Sequence, residues 1–444
     1  MTETHVSYAS RPETEMPLSA RMIVLVAAFL GWMCAGVIMV IIPLCGREAT
    51  ISFLGPGREA DVGTWFARYI CAFLLGAAAG GLLFGWLGDR IGRARAMGLS
   101  ILCYSIVTGV TYFVQSPTQL MILRFIACMG VGGMWPNGIS LASEAWSGVS
   151  RPLLAGLIGT SANLGFVLLA RIASYKAITP DDWRWVMIAG SIPAFLGMVI
   201  LFVVPESRRW LAARQLSPSP RVATRGTATR GNEAVANVSP VREVFRPPLL
   251  SRTVIGICLG TIPLLGNWGG GNWLVPWAGK VGESPQVNDA FLKGRTQTAR
   301  SAGGAIGALL GGWIASLMGR RKAYFLFSIT SLAATAHVFH SLTPLDASFL
   351  FWVFVVGFVG TIYFGWLPLY LPELFPTRVR ATGSGVSFNF GRLATAAGVL
   401  GVGTLMQWYD GDYARVGQIT SLTFALGMIV ICFAPDTSKK QLED

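Results

Sequence analysis

Long apolar blocks alternate with short polar stretches along most of the chain. The first block covers residues 22–44 and contains no charged residue. A helix needs about 20 predominantly apolar residues to cross the hydrocarbon core of a bilayer. Blocks of about this length lie at 22–44, 65–87, 96–114, 120–141, 153–174, 185–204, 254–277, 296–317, 323–342, 349–370, 383–407 and 418–433. The pattern therefore predicts an all-α membrane protein with twelve transmembrane helices.

Composition and charge distribution agree with this prediction. Of the 444 residues, 53% are hydrophobic and only 13% are charged, about half the charged fraction of an average soluble domain. The net charge of +13 would suit a nucleic-acid partner, but Lys and Arg concentrate in every second connection between blocks, roughly 22 against roughly 8 on the other side. This bias predicts that both termini are cytoplasmic and that the protein lies in the plasma membrane or the bacterial inner membrane.

A basic, polar segment divides the chain into two parts of similar length. We expect a cytoplasmic tail at 1–21, a first six-helix bundle at 22–206, a cytoplasmic linker at 207–252, a second bundle at 253–434 and a cytoplasmic tail at 435–444. The two bundles repeat each other at offsets of 227 and 229 residues. Internal repeats are typical of carriers whose substrate lies between the repeats. Matched positions include Arg68 and Arg295, Gly76 and Gly303, Gly80 and Gly307, Arg93 and Arg320, Glu144 and Glu373, and Arg151 and Arg380.

Four short motifs carry a family resemblance. Residues 85–93 read GWLGDRIGR, residues 124–132 read RFIACMGVG, residues 205–211 read PESRRWL and residues 372–380 read PELFPTRVR. Together they resemble the major facilitator superfamily, in particular its sugar porters and related organic-acid carriers, although Arg208 stands where a proline is usual. The resemblance implies two pseudo-symmetric six-helix bundles around a central cavity, in a secondary transporter.

Charged residues of these motifs lie at the predicted cytoplasmic ends of helices, where the resemblance implies a latch between the bundles. Asp89 could gain from the dipole of a helix in the other bundle. Single surface pairs contribute little, but a network that breaks as the bundles rock could act as a switch; alternatively, these charges only set the orientation. Ser316 occupies the position equivalent to Asp89, which predicts a lopsided latch. The latch candidates are Asp89, Arg93, Glu144, Arg151, Glu206, Arg320, Glu373 and Arg380.

One arginine lies deep within a predicted span. Arg392 is about nine residues, or about 14 Å, into the eleventh block, whereas Arg124 and Arg300 lie toward external ends. These boundaries place no Asp or Glu inside any block, and Glu48 falls in an external loop. A buried guanidinium keeps its proton and needs an anion, so we expect Arg392 to bind a substrate carboxylate. The alternative is that Arg392 pairs with backbone carbonyls and holds helices together.

Uncharged polar and aromatic residues supply the rest of the predicted pocket. The glycine run at 269–271 can interrupt its helix where backbone faces a cavity rather than lipid. Aromatic walls with a few amides are usual in small-molecule sites, and they suit a sugar equally well. The candidates beside Arg392 are Asn389, Asn163, Asn137, Asn267, Trp268, Asn272, Tyr363 and Trp366.

The sequence leaves the driving force open. Related organic-acid/proton symporters carry an acid on helix one, but residues 31–36 contain none; Arg124 resembles an arginine implicated in proton transfer in the superfamily. Facilitated diffusion, exchange, and co-transport of a proton carried on the substrate acid itself all remain. We expect a monomeric carrier of a monocarboxylate or sugar acid, with a neutral-sugar porter or a non-transporting sensor as alternatives. No catalytic, metal-binding or nucleotide-binding constellation is recognisable, so no enzyme activity, metal or cofactor is expected.

Overall fold

The computed structural model describes residues 16–149, 151–208, 210–211, 240–435 and 437. The described part leaves out most of the predicted linker and the side chain of Arg151. It also leaves out both predicted tails, except residues 16–21, 435 and 437. Over the described residues the chain is helical, without strands. The helices are α1 (Leu18–Leu54), α2 (Glu59–Ile91), α3 (Arg93–Val110), α4 (Pro117–Ala145), α5 (Arg151–Ala173), α6 (Trp185–Ser191), α7 (Ala194–Val203), α8 (Pro240–Val244), α9 (Leu249–Leu265), α10 (Leu274–Gly282), α11 (Leu292–Met318), α12 (Arg320–Ser341), α13 (Phe349–Thr361), α14 (Leu367–Glu373), α15 (Arg380–Trp408), α16 (Tyr413–Ser421) and α17 (Thr423–Phe433).

The predicted fold class is confirmed, and each of the twelve apolar blocks overlaps a helix or an interrupted pair of helices. Within the described ranges, nine helical segments are long and apolar enough to cross a membrane. The pairs α6–α7, α9–α10 and α16–α17 each form one helical segment with a local break, whereas the segment that begins with α13 ends at Gly365, before α14. The number of membrane crossings stays a prediction.

Helix α1 continues ten residues beyond the predicted end of its block, to Leu54. Pro43 lies inside this helix and cannot bond the carbonyl of Met39, four residues earlier. The Arg124 guanidinium from α4 instead donates to the carbonyl oxygens of Ile38 at 2.7 Å and Met39 at 3.2 Å. The extension places Glu48 inside a buried helix, so its assignment to an external loop was wrong.

The repeated glycines allow two pairs of helices to touch backbone to backbone. A Cβ atom on Gly80 of α2 would lie 1.9 Å from the carbonyl oxygen of Met129 on α4, and one on Gly307 of α11 would lie 2.2 Å from that of Phe358 on α13. Small residues at such crossings are how helices associate closely in membranes. The two parts of the chain therefore share the same close helix crossing as well as the same sequence pattern.

We call residues 16–208 the first half and 240–435 the second half. The linker end of the molecule is the end that carries Gly92, residues 204–208 and residues 240–249; the far end carries residues 55–58, 283–291 and 409–412. The halves contact each other through α2 with α15 and α5 with α11, at positions such as Gly63 against Met406 and Gly294 against Ala173, near the far end.

Near the linker end, three glycines face open space: Cβ atoms at Gly85, Gly156 and Gly385 would have no neighbour within 4 Å. These glycines lie on α2, α5 and α15, the helices that make the contacts between halves at the opposite end. The structure is therefore closed at the far end and open at the linker end.

Candidate functional site

Arg392 lies near the middle of α15 and is half-buried. Its guanidinium carbon sits 5.0 Å from the ring centroid of Phe388, one helical turn earlier. Among the described residues, Arg392 has neither an ion pair nor a hydrogen bond with the protein. Asn389, also half-buried, lies three residues before it on the same helix. The structure thus leaves a deep cation available to a ligand.

The glycine run interrupts its helix as predicted. Residues Gly266–Gly270 form one π-helical turn and Gly271–Trp273 one 3₁₀ turn between α9 and α10. The Asn267 side-chain nitrogen stabilises the break, because it donates to the carbonyl of Pro263 at 2.9 Å and to that of Gly360 on α13 at 2.6 Å. Asn267 therefore uses its side-chain donor within the second half.

Arg300 on α11 reaches this interrupted segment. It donates through Nη1 to Oδ1 of Asn272 at 2.5 Å and through Nη2 to the carbonyl of Asn267 at 3.3 Å. Within the described part of the chain, the side-chain nitrogen of buried Asn272 and Oε1 of buried Gln297 have no hydrogen-bond partner. The expectation that Arg300 lies near the external end of its helix did not predict this contact. Gln297 and Arg300 share a helix face, because they are three residues apart.

Asn163 brings the first half to the same region. It is buried on α5, and its Oδ1 lies opposite Gly304 of α11, where a Cβ atom would approach within 2.9 Å. Gly304 follows Arg300 by one helical turn, so both lie on one side of α11. The structure thus groups Asn163 with Arg300 and Asn272 at the junction of the halves.

Aromatic pairs close the space above this group, toward the far end. The rings of Phe73 and Trp268 lie 4.4 Å apart, and those of Phe66 and Trp273 lie 4.8 Å apart. Each pair joins the first half to the second. The predicted pocket residue Trp268 is therefore part of a lid between the halves.

Three other predicted pocket residues lie within the packing of their own halves. Asn137 is buried and donates to the carbonyls of Phe84 and Gly133, each at 2.9 Å. Tyr363 is buried with its hydroxyl 3.0 Å from Oγ of Ser328, and Trp366 is fully buried against aromatic neighbours. Burial within one half gives these side chains no access to a shared cavity in this conformation.

The latch candidates of the first half cluster at the linker end. Glu206 accepts from the backbone N–H groups of Arg93 at 2.8 Å and Ala94 at 3.1 Å, so it caps the N-terminus of α3. Arg93 Nε lies 3.2 Å from Glu144. Asp89 is 69% exposed and lies 3.3 Å from Arg93, in its own half. The predicted contact of Asp89 with the other half is not made in this conformation.

The second half repeats one of these pairs. Arg320 binds Glu373 through two nitrogens, at 2.9 and 3.2 Å. The pair occupies the position equivalent to Arg93 and Glu144. The charged residues that match in the sequence repeat therefore form the same ion pair in both halves. Arg380 lies at the start of α15, the partner position to Arg151 in the sequence repeat. The switching role of the latch stays a prediction.

Comparison with known proteins identifies the family. The model of the Major Facilitator Superfamily matches residues 22–399. The niacin/nicotinamide transporter NiaP of Bacillus subtilis, itself assigned as putative, is 29% identical over 97% of this chain and 99% of its own length. The cis,cis-muconate transport protein of Acinetobacter baylyi is 28% identical over 78% of this chain and 80% of its own, and the gallate transporter of Pseudomonas putida is 26% identical over 79% and 80%.

Solved structures show the same fold. A D-xylose-proton symporter superposes with a TM-score of 0.70 at 17% identity, covering 95% of this chain and 99% of the other. A partially occluded, inward-open form of the xylose transporter XylE from E. coli gives 0.71 at 17% identity over 96% and 100%. The relatives are transporters rather than enzymes, as the sequence predicts. This chain is therefore an integral membrane transporter that belongs to the Major Facilitator Superfamily.

Proposed function

We propose that this protein carries a small organic anion, a monocarboxylate or a sugar acid, across the plasma membrane or the bacterial inner membrane by alternating access. The observation that carries this proposal is Arg392, a cation near the middle of α15 with no ion pair in the described part of the chain. A charged group within a membrane is costly and usually functional. A guanidinium keeps its proton and binds a carboxylate through two parallel hydrogen bonds, so a substrate carboxylate is its natural partner.

Arg300 and Asn272 support an anionic substrate from a second side. Arg300 uses only part of its five-donor capacity on Asn272 and the Asn267 carbonyl. The unpartnered side-chain nitrogen of Asn272 adds another donor that a carboxylate or hydroxyl oxygen would satisfy. Asn389 and Asn163 offer amides for the remaining polar groups of the substrate.

The relatives point in the same direction. Their names give cis,cis-muconate, niacin and gallate as cargo, and each of these molecules carries a carboxyl group. The name of the Bacillus subtilis relative adds nicotinamide, the neutral amide of niacin. The resemblance to xylose transporters is at 17% identity, and it supports the fold alone. We therefore rank an organic acid above a neutral sugar.

We further propose that the linker end faces the cytoplasm. The excess of Lys and Arg on that side supports this orientation through the positive-inside rule. The closed far end and open linker end then correspond to the state that has released its cargo inward. The opposite state requires the contacts between halves at the far end to separate.

The test compares a carboxylate with its neutral amide. Purified protein in proteoliposomes should take up niacin, and excess unlabelled niacin should compete far better than nicotinamide, because only the acid can pair with Arg392. Arg392→Gln should reduce uptake at least about tenfold, the cost of about 1.4 kcal/mol of binding, and Arg392→Lys should restore only part of it because the bidentate geometry is lost.

The matched control is Arg415→Gln, which removes an exposed arginine that lies over Tyr409 at the far end and should transport normally. Muconate and gallate extend the carboxylate panel, and D-xylose represents the neutral alternative. Uptake of xylose without any carboxylate, or normal niacin uptake by Arg392→Gln, would contradict the proposal.

A further inference from the structure

Five charged side chains join the halves at the far end, and we call them the far-end cluster: Arg47 and Glu48 on α1, Glu59 on α2, Glu283 after α10 and Lys293 on α11. Two ion pairs cross between the halves. Arg47 Nη1 lies 2.5 Å from Glu283 Oε2, and Lys293 Nζ lies 2.6 Å from Glu48 Oε1. Arg47 also binds Glu59 within the first half at 2.5 Å.

Glu48 and Lys293 are the deepest members of the cluster, each with a side chain only 2% exposed. A buried charge is costly unless it is paired and hydrogen-bonded. Among the described residues, Oε1 of Glu48 accepts no hydrogen bond of regular geometry, although Nζ of Lys293 lies 2.6 Å away. Lys293 directs Nζ instead to the carbonyl of Ile178 at 2.5 Å. Glu48 therefore depends on the nearness of Lys293 rather than on a full set of hydrogen bonds.

The charges of the cluster do not balance, because it contains three carboxylates and two cations. Glu48 and Glu283 share both cations, since Lys293 Nζ is 3.4 Å from Glu283 and Arg47 Nη1 is 3.7 Å from Glu48. Neighbouring carboxylates in a buried site favour the binding of a proton by one of them. The cluster thus has one carboxylate in excess.

Glu283 is not the carboxylate that takes up this proton. Burial by itself would raise the pKa of the Glu283 carboxyl, but Arg47 and Lys293 outweigh burial and hold the pKa below its ordinary value. A lowered pKa means that Glu283 stays ionised as the pH falls, and it loses its contribution only when the pH passes below that lowered pKa. Glu59 is bound by Arg47 through two nitrogens and accepts a hydrogen bond from the hydroxyl of Tyr413 at 3.2 Å.

Apart from the carboxyl groups, the titratable side chains near Glu48 belong to classes that ordinarily titrate above neutral pH rather than at mildly acid pH. Thiols, phenols, ammonium and guanidinium groups have ordinary pKa values above neutrality, so the carboxyl groups alone titrate there. The charged and titratable groups that interact with Glu48 are Arg47 and Cys45 on α1, Glu283 after α10, Lys293 on α11 and Tyr413 on α16. One contact further out lie Glu59 and Tyr69 on α2, Arg124 on α4 and Lys280 on α10.

We propose that Glu48 binds a proton from the external solution when the far end opens, so that opening of the carrier to the outside is coupled to protonation of this carboxyl group. This inference rests on the alternating access and orientation proposed above. Opening moves Lys293 and Glu283 away with the second half and leaves Arg47 alone with Glu48 and Glu59. A proton from water on Glu48 then balances the charges of these three side chains. When the far end closes, Lys293 returns as the counter-ion and the proton leaves again as a hydrated proton.

Glu48 would thereby supply the acid that residues 31–36 of α1 lack. It lies on the same helix, more than three turns beyond them. The proton-binding group would therefore be built into the gate between the halves instead of the substrate pocket. The substrate and the proton would be linked through the conformation of the carrier, as reciprocal coupling requires.

Hydrogen exchange of the full-length protein in lipid nanodiscs tests the proposal without any substrate. After correction for the intrinsic effect of pH, peptides covering 45–54 and 287–300 should exchange faster at acid than at neutral pH, and peptides at the linker end should exchange more slowly. One linked proton changes the ratio of the two conformations by up to about tenfold per pH unit. In Glu48→Gln, the far end should exchange fast at both pH values.

Two further variants make the result interpretable. Asp346→Asn removes an exposed acid from the connection between α12 and α13 and should keep the wild-type response to pH. The double substitution of Glu48→Leu with Lys293→Met replaces the buried ion pair by apolar side chains, a replacement that buried ion pairs in other proteins often tolerate. In this variant the far end should stay closed at both pH values. A far end that does not respond to pH in the wild type, or that responds unchanged in Glu48→Gln, would overturn the proposal. Failure of the organic-anion assignment would appear in the uptake assay and leave this exchange result intact.

Discussion

At the scale of single residues, polar side chains repair helices that their sequence interrupts. Pro43 deprives the Met39 carbonyl of its usual donor, and Arg124 supplies two hydrogen bonds to this turn of α1. In the second half, Pro263 leaves the carbonyl of Leu259 without a donor, and the Tyr324 hydroxyl binds it at 3.0 Å. The buried guanidinium of Arg124 therefore binds backbone carbonyls within the first half. Its role in proton transfer stays a prediction.

The pairing of Arg124 with Pro43 predicts non-additive mutations. Arg124→Met should destabilise the protein by about 1.5–3 kcal/mol, the range for hydrogen bonds to charged groups. In the background of Pro43→Ala the loss should be smaller, because the restored N–H of residue 43 can bond the Met39 carbonyl. Thermal unfolding of the four proteins of this double-mutant cycle in detergent measures the coupling. Equal losses in both backgrounds would mean that Arg124 stabilises the fold by another contact.

Residues of the site show how far sequence reasoning reaches. Arg392 was predicted because it lies deep in a block without acids, and the structure indeed leaves it without an ion pair in the described residues. Arg300 and Glu48 were missed, since Arg300 was assigned to the external end of its helix and Glu48 to an external loop. Counting residues from a helix end gives depth, but it does not show which side chain faces the other half.

At the scale of elements, glycine spacing determines how closely helices approach. Gly76 and Gly80 lie one turn apart on α2, and Cβ atoms there would lie 2.3 and 1.9 Å from backbone oxygens of α4. Gly303 and Gly307 make the same crossing of α11 over α13, at 2.0 and 2.2 Å. Backbone atoms cannot move aside as a flexible side chain can, so these crossings require glycine.

Alanine substitution should separate close glycines from free ones. Gly80→Ala should destabilise the protein by about 1–3 kcal/mol, as overpacking in a close-packed core usually does. Gly401→Ala on α15, where a Cβ atom would meet nothing within 4 Å, should be neutral or slightly stabilising because alanine favours helix. The midpoint of thermal unfolding, followed by fluorescence in detergent, compares the two. A Gly80→Ala protein as stable as the wild type would show that α2 and α4 can move apart at no cost.

At the scale of the whole molecule, the repeat is closest in the charged pairs at the linker end. Arg93 with Glu144 and Arg320 with Glu373 are equivalent pairs. The symmetry fails at Asp89, which is matched by Ser316. In this conformation the largely exposed Asp89 carboxylate pairs with Arg93, and the Asp89 carbonyl accepts a hydrogen bond from Nε1 of Trp210. The exposed ion pair contributes little to the stability of the linker end.

The lopsided latch predicts that Asp89 matters for transport and not for stability. Asp89→Asn should leave the unfolding midpoint near wild type, because its exposed pair with Arg93 is worth less than about 1 kcal/mol. It should slow uptake several-fold if Asp89 binds the other half once the linker end closes. Ser316→Ala is the matched control and should transport normally. Equal rates for wild type and Asp89→Asn, measured with the same proteoliposomes, would remove Asp89 from the latch.

The sequence alone determined the class of molecule, because bilayer thickness imposes helix length and apolar composition on each span. It also determined the repeat and the deep cation of Arg392, since both are properties of residue type and spacing. Only the tertiary structure decided which polar groups meet: Arg300 with the interrupted segment between α9 and α10 inside the second half, and Glu48 with Lys293 across the halves. Such partners are far apart in sequence, so no local pattern encodes them. The buried charges of Glu48 and Lys293 are tolerated because each half supplies the counter-ion of the other.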